Sequence, residues 1–306
     1  IPLAAFEGYG MLVVFTRQGI IPSLSLPIMI SAIITIIAGA MFAMWLGEII
    51  SEQGMGNGIS LLIFAGIVAR VPISIFQTFV TFNPAQIPSY IAFIVLAIVI
   101  VAGVVLITEA RRNIPVSYAK RVRGMKMYGG TSTYLPLSVN PAGVMPIIFA
   151  LSILLFPGMI ASYFGTFSGV VGSVATSIGA FFANVWINGA FYFILVIVFT
   201  YFYTAVTFDP KTIAENLQRM GGFVPGVRPG QSTALFMKHI LNRVLFTGAV
   251  FLGLIAVLPS VVAGMTGVTG FTFLVGGTSL LIVVSVVLDT MRQINAQLQM
   301  REYETF

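Results

Sequence analysis

From Met127 to Phe208 the chain carries no Asp, Glu, Lys or Arg. Further uncharged runs extend from Gln18 to Gly47, from Val71 to Thr108 and from Val244 to Leu288. A water-soluble domain needs a charged surface, with about a quarter of its residues ionisable. Here charged types make up 8% of 306 residues and apolar types 58%. Such a chain cannot cover a globule with polar side chains, and it is far too apolar for a disordered segment. It must be solvated by lipid. A helix crossing the hydrocarbon layer takes about 20 apolar residues. Split at their Gly, Pro, Ser and Asn clusters, the runs and their neighbours predict eight spans. They lie near residues 2–20, 27–47, 58–76, 89–108, 142–163, 188–207, 244–263 and 270–288. The fold class expected is an all-α polytopic membrane bundle.

Eight spans put both ends of the chain on one side. Thirteen Lys and Arg fall on that side, in the connections near 109–141 and 208–243 and in the tail; only Arg17 and Arg70 fall on the other. By the positive-inside rule, the basic loops and the C-terminus are expected to face the cytoplasm. The net charge of +6 then needs no nucleic acid to explain it. The start at Ile1, with no basic stretch ahead of an apolar one, does not read as a signal peptide; further sequence upstream is the expectation.

The connections on the far side are poor in charge. The stretch 164–177, rich in Gly, Ser and Thr, reads as irregular surface structure. The two basic loops are long enough to have work of their own. In the first, 109–141, Ile114, Val116 and Tyr118 alternate with other types as strand residues do, and Gly124 and Gly129-Gly130 supply turns. In the second, 208–243, Asp209-Pro210 reads as a helix start and Gly221-Gly222 as its stop. Two Pro-Gly turns then flank Val227 and Arg228 and should push Arg228 to an exposed tip. Ser232 is placed to cap the next helix.

Helix breakers recur within the spans: the run 54–60 at the third, Pro146 and Pro157 in the fifth, Gly276-Gly277 in the eighth. Gly and Pro are common in membrane helices, yet interrupted helices also line cavities. Acidic groups at mid-span, which ion-coupled carriers and proton pumps bury, are nearly lacking. A conducting path would therefore have an apolar lining. The chain has no cysteine and one histidine, His239. No metal cluster, thiol chemistry, phosphate loop or catalytic constellation is expected, and no cofactor. The reading is of a non-enzyme.

Several segments together resemble one family. These are residues 44–69 (MWLGEIISEQGMGNGISLLIFAGIVA), 114–121 (IPVSYAKR), 127–150 (MYGGTSTYLPLSVNPAGVMPIIFA), 223–230 (FVPGVRPG) and 276–284 (GGTSLLIVV). In order and content they resemble SecY, the bacterial protein-conducting channel. The resemblance implies a bundle of two inverted halves, with the eight spans matching the family's helices three to ten. Residues 1–76 would belong to the N-terminal half and 77–306 to the C-terminal half. The family's first two helices and plug have no counterpart in this sequence.

The resemblance also implies residue roles. Ile59, Ile63, Ile148 and Ile282 fall on the family's pore ring. Ile148, Ser152 and Phe156 fall on its lateral gate, with the first span on the opposing side. Arg112, Lys120, Arg121, Lys126 and Arg228 fall on positions where the motor or ribosome docks. Asn113, Met125 and Tyr134 depart from the family's usual residues in that loop. The implied function is translocation of unfolded secretory proteins and lateral release of transmembrane segments in the bacterial cytoplasmic membrane. The implied partners are the SecE and SecG small subunits, the SecA ATPase, the ribosome, signal sequences and preproteins, and the lipid bilayer, with no DNA. From the residues alone, a small-solute carrier and a pore-less structural subunit remain alternatives. The tail 290–306 has Met291, Ile294 and Leu298 on one helical face, which would either cover a surface or fray.

Overall fold

The computed structural model describes the chain except residues 23, 55, 81–83, 85–86, 119–120, 124–125, 129–131, 166–168, 267–276 and 305–306. Each of the eight expected spans is a helix. They are α1 (Pro2–Arg17), α2 (Leu26–Glu52), α3 (Gly58–Val80), α4 (Ile87–Glu109) and α5 (Met145–Phe164), then α7 (Val185–Thr207), α9 (Gln231–Thr266) and α10 (Gly277–Glu304). Among the described residues six are long and apolar enough to cross a membrane, and α1 and α5 are shorter apolar helices by the same measure. Pro157 lies inside α5 and Pro72 inside α3, and both helices run on through them. Pro146 sits in the first turn of α5, where a missing N–H costs nothing. Gly277 opens α10; its neighbour Gly276 lies outside the described residues.

One expectation is overturned. The stretch 164–177 is not irregular throughout: Val170–Ala183 forms a further helix, α6. Its Gly and Ala make a packing face. Gly172 and Ala175 are buried, and a Cβ added at Gly179 would meet the Ala161 methyl of α5 at 3.0 Å. Small residues let membrane helices approach closely, so a composition that suggests a loop in water suits a helix here. The hydroxyls turn inward to the helix itself: Thr176 donates to the Gly172 carbonyl and Ser177 to that of Ser173.

The main core lies among α4, α5, α7, α9 and α10. Ile100, Ile147, Val196, Leu252 and Leu281 are among its most buried members. Leu61, Ile63, Phe64 and Ile67 of α3 pack against it from one side. In lipid such a core is held by close packing more than by exclusion of water.

A second, smaller core lies outside the spans, and it joins the two basic loops. Strand β1 (Arg111–Tyr118) pairs antiparallel with β4 (Ser132–Ser138), Ile114 opposite Leu135. Its far end pairs with β5 (Gly222–Phe223) of the second loop, Ser117 opposite Phe223. A separate hairpin, β2 (Arg121–Arg123) and β3 (Lys126–Tyr128), forms the tip of the first loop. The alternation noted at Ile114 and Val116 is real, since both are buried. They meet Leu137, Leu217 and Val224, with Tyr118 packed alongside.

The short helix α8 (Pro210–Arg219) starts and stops where the residues suggest. Asp209 accepts hydrogen bonds from the Lys211 and Thr212 backbone N–H groups and from the Thr212 hydroxyl. Beyond Arg219, Gly221 takes a positive φ of 73°. The Thr212 hydroxyl, then the Lys211 N–H, hold the Asp209 carboxyl below its ordinary range. A lowered folded pKa means the cap stabilises α8 fully above the ordinary carboxylate pKa and loses that effect as pH falls through the lowered value. Protection of the first-turn amides of α8, taken relative to the intrinsic exchange rate at each pH, is therefore expected to fall on acidification, and Asp209→Asn should remove most of that fall. Equal pH dependence in both proteins would refute the cap's role.

Candidate functional site

The approach of α2 to α3 sets the position of the first candidate ring residue. Gly47 is buried against the start of α3: a Cβ there would lie 2.7 Å from Ile59 Cγ1 and 3.1 Å from the Ile59 nitrogen. Gly58 in turn faces the Gly47 carbonyl. The turn between the helices is pinned by side chains. The Ser51 hydroxyl donates to the Gly47 carbonyl and accepts from the Gly58 N–H, each at 2.9 Å. Asn57 caps α3, accepting from the Ser60 N–H at 3.1 Å. The breaker run 54–60 is thus a tight turn between two helices, with residue 55 outside the described part.

Of the four expected ring residues, three belong to or border the main core. Ile282 of α10 is a buried member of the main core, and Ile63 of α3 and Ile148 of α5 are half-buried against the same cluster. Ile59 is not in that cluster; it sits one turn before Ile63, 39% exposed. Ile63 also opens onto a cavity of about 330 Å³, lined further by Gly66, Ile67, Arg70, Ser74 and, across from them, Ser279 of α10.

The gate-side residues lie along α5, where α1 packs. The Phe6 and Phe156 rings are 5.1 Å apart, and those of Tyr9 and Tyr163 are 5.7 Å apart. Between them Gly10 lies against the Met159 sulfur. Ser152 is half-buried, one helical turn from both Ile148 and Phe156. The seam is a row of ring and thioether contacts.

The basic candidates lie on the sheet side. Arg112 is exposed on β1, opposite Leu137. Arg121 and Lys126 lie on the β2–β3 hairpin, which pairs Arg121 with Tyr128 and Arg123 with Lys126; Lys120 lies outside the described residues. Arg228 is exposed between two glycine turns, Gly226 at φ 83° and Gly230 at φ 97°. Its carbonyl accepts from the Thr233 hydroxyl at 2.9 Å, so the backbone beneath the guanidinium is tethered to α9.

Two long-range contacts on this side have no signal in the sequence. Arg292 of α10 pairs with Glu109 at 2.7 Å and also donates to the Thr108 carbonyl at the end of α4. A cation there complements the carbonyl end of the helix. Further along α10, the Gln297 amide donates to the Gly54 carbonyl at 2.6 Å. The tail stays helical through Glu304 and Gln297 touches the α2–α3 turn, but the expected covering face does not form: Met291, Ile294 and Leu298 are all exposed.

Comparison with known proteins agrees with this architecture. The SecY family profile matches residues 1–291. A protein translocase subunit SecY of Thermotoga maritima is 45% identical over 89% of this chain and 60% of that protein. The one from Mycobacterium tuberculosis is 40% identical over all of this chain and 72% of that protein. The chain thus spans between three-fifths and three-quarters of these relatives' length. Among solved structures, one concerning the SecY plug domain and the closed channel superposes with a TM-score of 0.63 at 20% identity, over 94% of this chain and 72% of that one. A protein-conducting channel gives 0.61 at 19%, over 94% and 71%. At those identities the structures speak for the fold, and the sequence relatives speak for descent. A helical membrane bundle with this order of spans, a paired-loop sheet and a match over nearly its whole length belongs to the SecY family.

Proposed function

We propose that the chain forms most of the pore-bearing subunit of a protein-conducting channel in a bacterial cytoplasmic membrane. The observation behind the reading is that Ile63, Ile148 and Ile282, from three different helices, all belong to or border one apolar core. An apolar constriction of that kind closes around an extended chain and opposes hydrated ions, which pay to shed water. Ile59 completes the ring from the turn below once the halves, 1–76 and 77–306, move relative to each other. The α1–α5 seam is the lateral exit. Aromatic and thioether contacts are individually weak, so a sufficiently apolar passenger segment competes with them and partitions into lipid.

The work is partitioning rather than covalent chemistry, so direction and energy come from outside the chain. The basic sheet side faces the cytoplasm and receives the SecA motor or the ribosome, with Arg228 as a rigidly presented contact and Arg112, Lys120, Arg121 and Lys126 around it. A structural relative, the yeast Ssh1 complex, is bound to the 80S ribosome. SecE and SecG pack on apolar outer faces such as that of α2.

The deciding experiment places a photo-crosslinking residue at Ile148 in the full-length protein and stalls a secretory protein midway through export. A crosslink that requires both passenger and motor is expected. No crosslink, with a working control at Arg112, would move the path away from these residues. Separately, Arg228→Glu is expected to slow motor- or ribosome-driven export at least roughly tenfold, the loss of one charge-assisted contact, with the fold intact. Export at the wild-type rate would remove Arg228 from docking.

A further inference from the structure

A cavity of about 750 Å³ lies between the end of α7, the helix α8 and the start of α9, lined by none of the candidate ring residues. Its two ends differ in chemistry. The floor is made by membrane helices: Leu241 and Leu245 are buried, and Tyr201 is half-buried. The rim carries exposed charges of both signs, Lys211 and Lys238 against Asp209 and Glu215. Asp209 is committed to capping α8. Lys211, Lys238 and Glu215 make no ion pair among the described residues. The first turn of α9 also faces the cavity at Gln231 and adds unbonded N–H groups.

A second observation points into the same space. Thr204, 1% exposed, lines the cavity from α7, and its hydroxyl has no hydrogen-bond partner. Its neighbour one turn earlier, Thr200, satisfies its own hydroxyl on the Val196 carbonyl at 2.6 Å. Buried hydroxyls are normally paired, so Thr204 lacks something that accepts or donates at this spot.

We propose that this cleft is a binding site for one phospholipid of the surrounding bilayer, with a zwitterionic aminophosphate headgroup of the phosphatidylethanolamine type. The cleft sits where α7 and α9 leave the apolar layer, which is where headgroups lie. Lys211, Lys238 and the α9 N–H groups receive the phosphate, and Glu215 receives the ammonium. The Thr204 hydroxyl donates to a glycerol ester carbonyl, and an acyl chain runs over Leu241 and Leu245. A purely anionic headgroup would leave Glu215 facing like charge. A free phosphate would leave the apolar floor and Thr204 unused. The site rests on the chain being a membrane protein and not on the translocation reading.

The test is native mass spectrometry of the full-length protein, purified in detergent and supplied in turn with phosphatidylethanolamine, phosphatidylglycerol or free phosphoethanolamine. One phosphatidylethanolamine is expected to survive detergent removal. The double variant Lys211→Gln/Lys238→Gln should lose roughly tenfold of that retention. Glu215→Gln, an exposed change on α8 that leaves the fold alone, should erase the preference over phosphatidylglycerol. Free phosphoethanolamine should not compete at equal concentration. Retention unchanged in both variants would overturn the proposal. So would equal retention of the two lipids by the unaltered protein, or full competition by the free headgroup.

Discussion

Val116→Asp is expected to unfold the sheet domain outside the membrane while the spanning helices stay in place. Val116 is 1% exposed, and its neighbours Ile114, Leu137, Leu217 and Val224 offer no polar partner. An unpaired carboxylate left in such a site costs on the order of 3–5 kcal/mol. That core is small and draws on both basic loops, so it has little reserve with which to absorb the loss. Limited trypsin digestion gives the readout, because Arg111 and Arg112 lie beside the core in the first loop and Lys211 and Arg219 lie beside it in the second. Rapid cleavage in both loops of the variant is expected, with the membrane fragments intact. Asn113→Asp, an exposed change on the same strand, should digest like the parent. If Val116→Asp resists trypsin equally well, the two loops do not depend on a shared core.

Replacing Ile63 and Ile148 together with Ser is expected to raise ion leak through the full-length channel by at least roughly tenfold, because hydroxyls wet a constriction that aliphatic side chains keep dry. Both residues are half-buried, so the change removes apolar lining without hollowing the centre of the core. Ile282 is different. At 6% exposure it is part of the packing itself, and truncating it would add a cavity cost of about 2–5 kcal/mol to any effect on conduction. Ile282→Val, which keeps the branched shape, is the appropriate companion and should leak little. Planar-bilayer conductance decides the matter. Unchanged leak in a folded Ile63→Ser/Ile148→Ser protein would remove both side chains from the constriction.

Local chemistry was readable along the chain, and distant pairing was not. The eight spans were visible because lipid forces about 20 consecutive apolar residues into each. The alternation of Ile114 and Val116, the Asp209 cap, the Gly221 stop and the tethered Arg228 turn are all set by residues a few positions apart. Helix α6 was missed because Gly, Ser and Thr mean turns in water, whereas against α5 they make a thin packing face. The pairing of β1 with β5 joins strands about a hundred residues apart, and a two-residue strand such as Gly222–Phe223 has no periodicity to detect. The Arg292–Glu109 and Gln297–Gly54 contacts, 183 and 243 residues apart, have no local precursor at all. Within the candidate ring, the motif resemblance gave the same role to Ile59 and Ile282, and burial separates them. One sits on a turn beside a glycine, and the other is held by three neighbouring helices.

The β1–β5 pairing also acts as a parity check on insertion. Strands that share hydrogen bonds must lie on the same side of the bilayer, so everything between Tyr118 and Gly222 must cross it an even number of times. Helix α6, with 14 residues, is roughly 21 Å long and falls short of the ~30 Å hydrocarbon layer, so α5 and α7 are the two crossings. A chain that skipped either crossing would leave Leu217 and Val224 on the wrong side. Ile114, Val116 and Leu137 would then have nothing to pack against. The water-exposed sheet closes only over a correctly threaded membrane domain, and a mis-threaded chain is marked by an open apolar strand that quality-control proteases can recognise.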